Sequence, residues 1–371
     1  MAIQDVDVSS DPYGITYSFS GQIWEVLKGV DVTGADTAVY SAFTDSRLIN
    51  RGSLVGLDDW GVMFEAGGAN STYVVKNKAS GHIVGKEIGV YAYSFTGSFT
   101  VKNQGIIEAT SNIGVVSQGS GDTRIDNRGR IAGPDAAINI APDNLGAKGA
   151  KITNFGELQS AGVAIALGFY PGVAFEVWNR KGGKIEGVLA AIDSNGPLTL
   201  RNDGKIIGAI FGDSERDVIV NTKKIKGNIA LSDGDDVLKN KGKGKVVGLI
   251  DTGIGNDKVV LGAKKEMLLF DSALSATLNV DRLKHFKSGK DGLYLDDDTF
   301  AALTPGVLSP SEFRAGPSAQ DGDDFVIYDK ASGALYYDPD GLGGADQTQF
   351  AQFDRGTKLK FSDIMAGEFS L

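Results

Sequence analysis

VKNQGIIEA (residues 101–109) and IDNRGRIAG (residues 125–133) decide the fold, because they are two copies of one repeat. In both, an apolar residue lies two positions before an Asn, and an Ile lies four positions after it. Alternate residues of a β-strand face the same side of its sheet, so these apolar side chains should point into one interior. The pattern predicts a strand, a corner at the Asn and a second strand.

Nine copies of the repeat occupy the first two thirds of the 371-residue chain, and each carries the Asn. These asparagines, spaced 19 to 27 residues apart, are Asn50, Asn77, Asn103, Asn127, Asn154, Asn179, Asn202, Asn221 and Asn240. A tenth, degenerate copy without the Asn is SFSGQIWEV (18–26). Self-similarity at such a period is the signature of a solenoid.

The corner residues indicate which solenoid this is. Asn and the Gly that follows it tolerate the positive φ that we expect between two strands. Stacked Asn side chains can hydrogen-bond to one another and to the turn backbone. A leucine-rich repeat has a similar period but spaces its residues as L-x-x-L-x-L-x-x-N, and no L-x-x-L precedes the Asn here. We therefore predict an all-β fold, a right-handed parallel β-helix of about ten coils.

Three acidic segments follow at a shorter spacing: GDSERDVIV (212–220), LSDGDDVLK (231–239) and TGIGNDKVV (252–260). In each, the final Asp lies two positions before an apolar residue. The segments resemble the G-G-x-G-x-D-x-U-x nonapeptide of RTX proteins, the calcium-binding β-roll family. The third copy departs only in Thr252, whereas the first has Glu215 where the motif has its second Gly.

The resemblance implies a Ca²⁺ site between successive coils. Calcium takes six to eight oxygen ligands, which the motif supplies from backbone carbonyls at its Gly positions and from its Asp carboxylates. The candidate metal ligands are Gly212, Asp213, Asp217, Asp233, Gly234, Asp236, Gly253, Gly255 and Asp257. Stacked like charges repel one another, and a cation would relieve the repulsion. The alternative is an acidic ladder of turns without a tightly bound ion.

Residues 281–371 resemble the C-terminal region of secreted RTX proteins, chiefly through DGDDFVIYDKASGALYYDPDGLGGADQTQFAQF (321–353). We expect strands at Phe325–Asp329 and Ala334–Asp338, and a short helix, or else a loop, at Asp346–Phe353. Residues 291–346 contain twelve acidic and two basic side chains, so this segment should need a counter-ion to become compact. A second calcium candidate, or else a solvated acidic hairpin, consists of Asp338, Asp340 and Asp346.

Four regions make up the predicted organisation. Residues 1–45 form an N-terminal cap and first coil, and residues 46–208 form the parallel β-helix. Residues 209–280 form tightened RTX-like coils that merge into a β-roll, and residues 281–371 form a small β-rich or mixed cap domain of the secretion type.

The RTX resemblance also implies a location and a role. RTX proteins leave Gram-negative cells through a type I secretion apparatus, directed by an uncleaved C-terminal signal. This agrees with a first segment that lacks the features of a secretory signal, with the absence of Cys, and with the lack of a long apolar stretch. We expect a secreted or surface-bound structural protein, such as an adhesin, matrix or surface-layer component. Its partners would be extracellular or cell-surface polysaccharide, or other copies joined through open coil ends.

Composition limits the other functional classes. A net charge of −10 does not suit nucleic-acid binding, and a chain with only His82 and His285 is a poor candidate for His-based chemistry. The alternative function is a lyase or epimerase that acts on an anionic polysaccharide. Against it, the Tyr-Gly-x-Asp-Pro-His signature of RTX alginate epimerases is absent, and His82 is expected in a solvent-facing turn. Aromatic candidates for a sugar-binding face, or else for the core, are Trp24, Trp60, Tyr91, Tyr93, Phe95, Phe169, Tyr170 and Trp178.

Overall fold

A computed structural model describes residues 1–65, 70–142, 147–168, 170 and 172–369. It divides into two compact units, Met1–Ala209 and Ile210–Leu371. Both units are parallel β-solenoids, with about 12 turns in all and about 1% helix. The predicted all-β parallel β-helix is therefore confirmed, and the expected number of about ten coils was slightly low.

Each turn of the first unit consists of two or three short strands. They are β1 (Ala2–Gln4), β2 (Val8–Ser10), β3 (Tyr13–Thr16), β4 (Ile23–Val26), β5 (Asp31–Gly34), β6 (Thr37–Ser41), β7 (Arg47–Asn50), β8 (Ser53–Gly56), β9 (Trp60–Phe64), β10 (Thr72–Asn77), β11 (His82–Gly85), β12 (Ile88–Phe95), β13 (Ser98–Asn103), β14 (Ile106–Ala109), β15 (Ile113–Gly119), β16 (Asp122–Asn127), β17 (Arg130–Gly133), β18 (Ala136–Ala141), β19 (Ala150–Asn154), β20 (Glu157–Ser160), β21 (Val163–Leu167), β22 (Phe175–Asn179), β23 (Lys184–Ser194), β24 (Leu198–Asn202) and β25 (Lys205–Phe211).

The register of these strands follows the sequence repeat. Strand β13 pairs in parallel with β10 on one side and β16 on the other, which places Asn103 between Asn77 and Asn127. The apolar position two residues earlier is buried in every copy of the first unit, at Leu48, Val75, Val101, Ile125, Ile152, Val177 and Leu200. The same repeat therefore fixes both the strand register and the core.

The degenerate copy SFSGQIWEV (18–26) lies in a solenoid turn, but its residues are offset from the nine-residue pattern of the other copies. Val26 pairs with Asn50, so Val26 occupies the Asn position of its turn. An earlier turn pairs with it, and Gln4 occupies the corresponding position there. Residues 1–45 therefore contain two solenoid turns, made by β1–β3 and β4–β6.

The second unit continues the repeat with shorter strands. They are β26 (Val218–Asn221), β27 (Lys224–Lys226), β28 (Ile229–Ala230), β29 (Val237–Asn240), β30 (Lys245–Val247), β31 (Leu249–Asp251), β32 (Lys258–Val260), β33 (Met267–Phe270), β34 (Asp281–Lys284), β35 (Gly292–Asp296), β36 (Gly306–Val307), β37 (Phe313–Ala315), β38 (Val326–Asp329), β39 (Ala334–Tyr337), β40 (Thr348–Phe353) and β41 (Ile364–Gly367), with a 3₁₀ turn at Phe361–Asp363.

The C-terminal hairpin is confirmed and the helix after it is wrong. Strands β38 and β39 pair antiparallel close to the predicted bounds. The segment predicted as a short helix at Asp346–Phe353 instead contains β40, which pairs antiparallel with β39 and parallel with β34. Phe350 and Phe353 are both buried, and their three-residue spacing fits one face of a helix. In β40 a register shift opposite Leu335 and Tyr336 interrupts the regular alternation. Backbone partners on both sides of β40 decide the outcome.

Candidate functional site

A ladder of asparagine side chains occupies one corner of the first unit. The Asn50 Nδ2 donates to Asn77 Oδ1 at 3.0 Å, and the same bond links each later pair up to Asn179 and Asn202, at 2.8–3.0 Å. The amides also donate to backbone carbonyls of the next turn of the solenoid, as Asn127 does to Glu157 O at 3.0 Å. The ladder asparagines are buried. The predicted amide stack is confirmed, and it satisfies polar groups that would otherwise be costly to bury.

The expected reason for the corner glycines fails in the first unit. Among its described residues, neither the ladder asparagines nor the glycines two positions after them have a positive φ; these glycines are Gly52, Gly105, Gly129, Gly156 and Gly204. In the second unit, Gly242, two positions after Asn240, does have a positive φ of 60°. A Cβ on Gly129 would instead lie 1.9 Å from the Gly105 carbonyl oxygen, and one on Gly156 would lie 2.0 Å from that of Gly129. Glycine is needed because consecutive corners stack backbone on backbone.

The ladder of the second unit ends on an acid that the sequence prediction missed. Asn221 Nδ2 donates to Asn240 Oδ1 at 2.7 Å, and Asn240 Nδ2 donates to Glu266 Oε1. Glu266 also accepts the Gly262 N–H at 2.6 Å. Burial raises the pKa of Glu266 to about 7, against the effect of these backbone donors. The 26-residue interval from Asn240 to Glu266 lies in the range of the repeat and could have revealed it.

A row of buried aspartates forms a second corner of the second unit. The Asp217 N–H donates to Asp236 Oδ1 at 2.7 Å, and the Asp236 N–H donates to Asp257 Oδ1 at 2.7 Å. The Asp257 N–H then donates to Asp281 Oδ1 at 3.3 Å. Sequence analysis identified the first three and missed Asp281. Its signal was present, since Asp281 lies two positions before the buried Leu283, as Asp217 does before Ile219.

Burial makes the ionised form of the carboxyls in this aspartate row unfavourable. Burial raises the pKa of Asp236 to about 9; the Asp217 N–H lowers this pKa, and the neighbouring Asp217 and Asp257 carboxyls raise it. Burial also raises the pKa of Asp257 to about 6 and that of Asp281 well above its ordinary value. The Asp236 Oδ2 is buried and has no hydrogen-bond partner among the described residues. An unsatisfied buried carboxyl oxygen favours either a proton or a cation.

The other motif residues take different positions. Asp213 is half-buried and accepts the Glu215 N–H at 3.0 Å. Asp233 is exposed, and its backbone forms an isolated parallel β-bridge with Ile254. The motif glycines Gly234, Gly253 and Gly255 lie where successive turns approach one another closely, whereas a Cβ on Gly212 would lie 1.8 Å from Asp217 Oδ2. A Cβ on Gly255, for example, would lie 1.8 Å from the Gly234 carbonyl oxygen.

The second calcium candidate is an acidic hairpin end. Asp338 is buried and accepts the Asp340 N–H at 3.3 Å. Asp340 is exposed and accepts the Gly344 N–H at 2.8 Å. Asp346, which follows the same turn, is also exposed. Burial raises the pKa of Asp338, and a hydrogen bond with the Asp340 side chain adds to the rise.

The structure assembles a charged strip that the sequence prediction did not foresee. His82 begins β11 rather than lying in a turn, and its Nε2 lies 2.8 Å from Glu108 Oε1. Arg130 NH1 donates to Glu108 Oε2 at 2.8 Å. Two turns after Arg130, Lys184 contacts both Glu157 and Glu186. The register signal lay in the repeat, because His82, Arg130, Glu157 and Lys184 share one strand position, and Glu108 and Glu186 share the position two residues later.

The aromatic candidates do not form one face. Tyr91 and Tyr93 lie 5.9 Å apart between ring centroids, but Phe95 is buried in the core because the register shifts between Tyr93 and Phe95. Trp178 is half-buried beneath Lys151, whose Nζ lies 3.6 Å from the ring centroid, and Arg180 lies at 4.3 Å. Phe169 lies outside the described residues.

Comparisons with known proteins assign no family. No protein-family model, curated protein sequence or solved structure matches this chain. Within the described residues, no three His, Asp or Glu side chains are grouped so that they could hold a metal ion. In that same part of the chain, no helix is both long and apolar enough to cross a membrane. The fold and the geometry of its corners are therefore the basis for assigning a function.

Proposed function

We propose that this chain is a calcium-ordered structural and interaction protein of the RTX type that works outside the cell. The observation that carries the proposal is the row of buried aspartates at successive turns of the second unit, in which Asp236 Oδ2 has no partner among the described residues. A neutral solenoid corner needs no carboxylates, as the asparagine ladder demonstrates. Buried acids at a second corner, beside the ladder of Asn221 and Asn240, suit a protein that folds around a cation.

The donor chemistry favours calcium over other cations. The candidate site offers carboxylate and carbonyl oxygens, which are the ligands of hard cations. Asp213, Asp217, Asp236 and Asp257 would supply carboxylates, and the turns at the motif glycines would supply carbonyls. A metal held here depends on those carbonyls, because the acids are not grouped closely enough to hold an ion alone. When bound, the ion would supply the positive charge that buried carboxylates require.

An extracellular role accounts for a fold that depends on calcium. Cytosolic calcium is too low to order the acidic turns, whereas millimolar calcium outside would do so after export through a type I apparatus. The ordered solenoid would then serve as an adhesin, matrix or surface-layer component. A reporter fused to residues 281–371 and produced beside a type I apparatus should reach the medium. Retention of the reporter in the cells would contradict this route.

The calcium proposal is tested by thermal melting of the full chain after EDTA treatment. We expect millimolar calcium, but not magnesium, to raise the melting temperature, since a ligand that binds only the folded state stabilises it. Asp236→Asn should weaken this calcium response. Asp135→Asn, the same change at an exposed position of the first unit, should keep it. An unchanged melting temperature at millimolar calcium would overturn the proposal.

The second candidate is a polysaccharide-active enzyme, and the His82–Glu108–Arg130 cluster is the observation that favours it. A carboxylate, an imidazole and an Arg on one outward sheet face could bind and deprotonate a sugar acid. Lys184 is unsuited to act as the base, because hydrogen bonds to Glu186 and Glu157 raise its pKa. Turnover of a uronate polymer, lost in His82→Gln and kept in His285→Gln, would establish this activity.

A further inference from the structure

A groove of about 620 Å³ lies on the outward face of the second unit. Three basic side chains, Arg216, Lys258 and Arg282, line it, and all three are exposed. Its other polar walls include Asn256, Gln349 and Gln352. The volume falls within the range of small-molecule sites, about 300–1,000 Å³.

The strand register brings like charges together in this groove. Lys258 of β32 lies directly beside Arg282 of β34, which lies directly beside Gln352 of β40. Like charges on neighbouring strands destabilise a sheet. Two residues further along the same strand, Lys284 has a partner, since its Nζ lies 2.7 Å from Asp354. On this sheet face the charge of Lys284 is therefore neutralised by Asp354, whereas the neighbouring charges of Lys258 and Arg282 are not neutralised by any described residue.

The groove cations have no acidic partner in the described part of the chain. None of Arg216, Lys258 and Arg282 forms an ion pair there. The exposed acid of the lining, Asp235, accepts the Asn256 N–H at 2.9 Å. Three unpaired cations in a concave site provide a binding surface for an anion.

The amide walls of the groove are held in place by hydrogen bonds. Gln349 Nε2 donates to Gln352 Oε1 at 3.1 Å, and Gln352 Nε2 donates to Ser332 O at 2.8 Å. Asn256 Oδ1 accepts the Val280 N–H at 3.2 Å. These side chains are ordered without a ligand, so binding would cost little conformational entropy.

We propose that the groove binds an acidic oligosaccharide, with the sugar carboxylates on Arg282, Lys258 and Arg216. The lining contains no aromatic ring, so a nucleic-acid base would find no stacking surface. The net charge of −10 also opposes a long phosphate backbone. An Arg and a Lys beside amide groups suit a ligand that carries both carboxylates and hydroxyls. This inference goes beyond the calcium proposal, because none of the three cations is a candidate calcium ligand. The candidate ligand Asp236 also lines the groove, and the variants that test the groove leave it unchanged.

The test is titration of the full chain with a short oligogalacturonate, in the presence of calcium and with folding checked by circular dichroism. The groove variant is Lys258→Gln with Arg282→Gln. The control variant is Lys224→Gln with Lys245→Gln, another cross-strand pair of cations in the same unit. We expect binding that weakens with salt, a loss of roughly a hundredfold in the groove variant, and no change in the control variant.

Three outcomes would overturn the proposal. They are the absence of oligogalacturonate binding to the folded wild type, equal binding by the groove and control variants, and equal binding of a neutral galactose oligomer. Stronger binding of single-stranded DNA than of the uronate would assign the groove to a different ligand class. Each result is independent of the calcium response of the melting temperature, so the two proposals can fail separately.

Discussion

At the scale of single residues, each ladder asparagine satisfies several buried groups at once. Asn127 Nδ2 lies 2.9 Å from Asn154 Oδ1 and 3.0 Å from Glu157 O, and Asn127 Oδ1 accepts from Asn103 at 2.9 Å. Asn127 is fully buried. An amide meets these needs without charge, because it both donates and accepts.

Truncation of one ladder asparagine should therefore lower the free energy of unfolding. Asn127→Ala leaves the amide of Asn103 and the carbonyls beyond it with fewer partners, and it opens a small cavity. We expect a loss of about 2–5 kcal/mol in the free energy of unfolding, measured with urea. Asn139→Ala, on the outward side of β18, should cost less than about 1 kcal/mol. Equal losses in the two variants would show that the ladder contributes no special stability.

A single acid should give the second unit a distinctive pH dependence. Burial raises the pKa of Glu266 from its ordinary 4.5 to about 7. The folded state therefore binds the proton more tightly than the unfolded state, so this stabilisation is complete below about pH 4.5 and lost as the pH rises through 7. The loss should be about 3 kcal/mol.

The measurement is urea unfolding of metal-free protein between pH 4.5 and pH 8. Glu266→Gln should reduce the slope over this interval without abolishing it, because the raised pKa values of Asp236, Asp251 and Asp257 also contribute. Glu312→Gln is the matched control, because the Ser309 and Thr304 backbone donors outweigh burial and lower the pKa of Glu312. That control should retain the wild-type slope above pH 4.5. An unaltered slope in Glu266→Gln would contradict the assignment.

At the scale of elements, the corners limit which residues the solenoid accepts. Gly129→Ala places a Cβ 1.9 Å from the Gly105 carbonyl oxygen, so neighbouring turns must separate. We expect a loss of about 3 kcal/mol or more in the free energy of unfolding. Gly322→Ala is the control, because a Cβ there meets no atom within 4 Å. A loss in Gly129→Ala as small as in the control would mean that the backbone adapts freely.

The sequence could predict the elements whose positions repeat, and it failed where a contact occurs only once. The asparagine ladder, its buried apolar neighbours and the hairpin of β38 and β39 follow from local spacing. Strand β40 could not be foreseen, since Phe350 and Phe353 fit a helix until β34 and β39 supply backbone partners. Phe95 turned inward through a register shift that no periodicity encodes.

The candidate sites also divide into residues at repeated positions, which the sequence predicts, and contacts that occur once, which it does not. Asp217, Asp236 and Asp257 were found because they belong to a repeated motif, and Asp281 was missed because its turn lacks the glycines of that motif. The groove cations Lys258 and Arg282 come together only through strand register. Their relation depends on the irregular connections on either side of β33, which a repeat length does not predict.

At the scale of the whole molecule, charge is distributed unevenly along the chain. Residues 291–346 contain twelve acidic and two basic side chains, so the remaining residues sum to zero. The buried aspartate row also belongs to the second unit. Both units build one corner from neutral amides, and the second unit adds the aspartate row at another corner. Dependence on a cation should therefore be a property of one unit.

Hydrogen exchange of the full chain, followed by mass spectrometry, would locate this dependence. We expect calcium to slow exchange in peptides from Ile210–Leu371, most strongly around β29 and β32, and to leave Met1–Ala209 nearly unchanged. The reason is that a cation bound among buried carboxylates stabilises only the turns that contain them. Asp236→Asn should reduce the slowing, whereas Asp135→Asn should preserve it. Calcium-induced slowing of similar size in both units would rule out a cation site confined to the aspartate row.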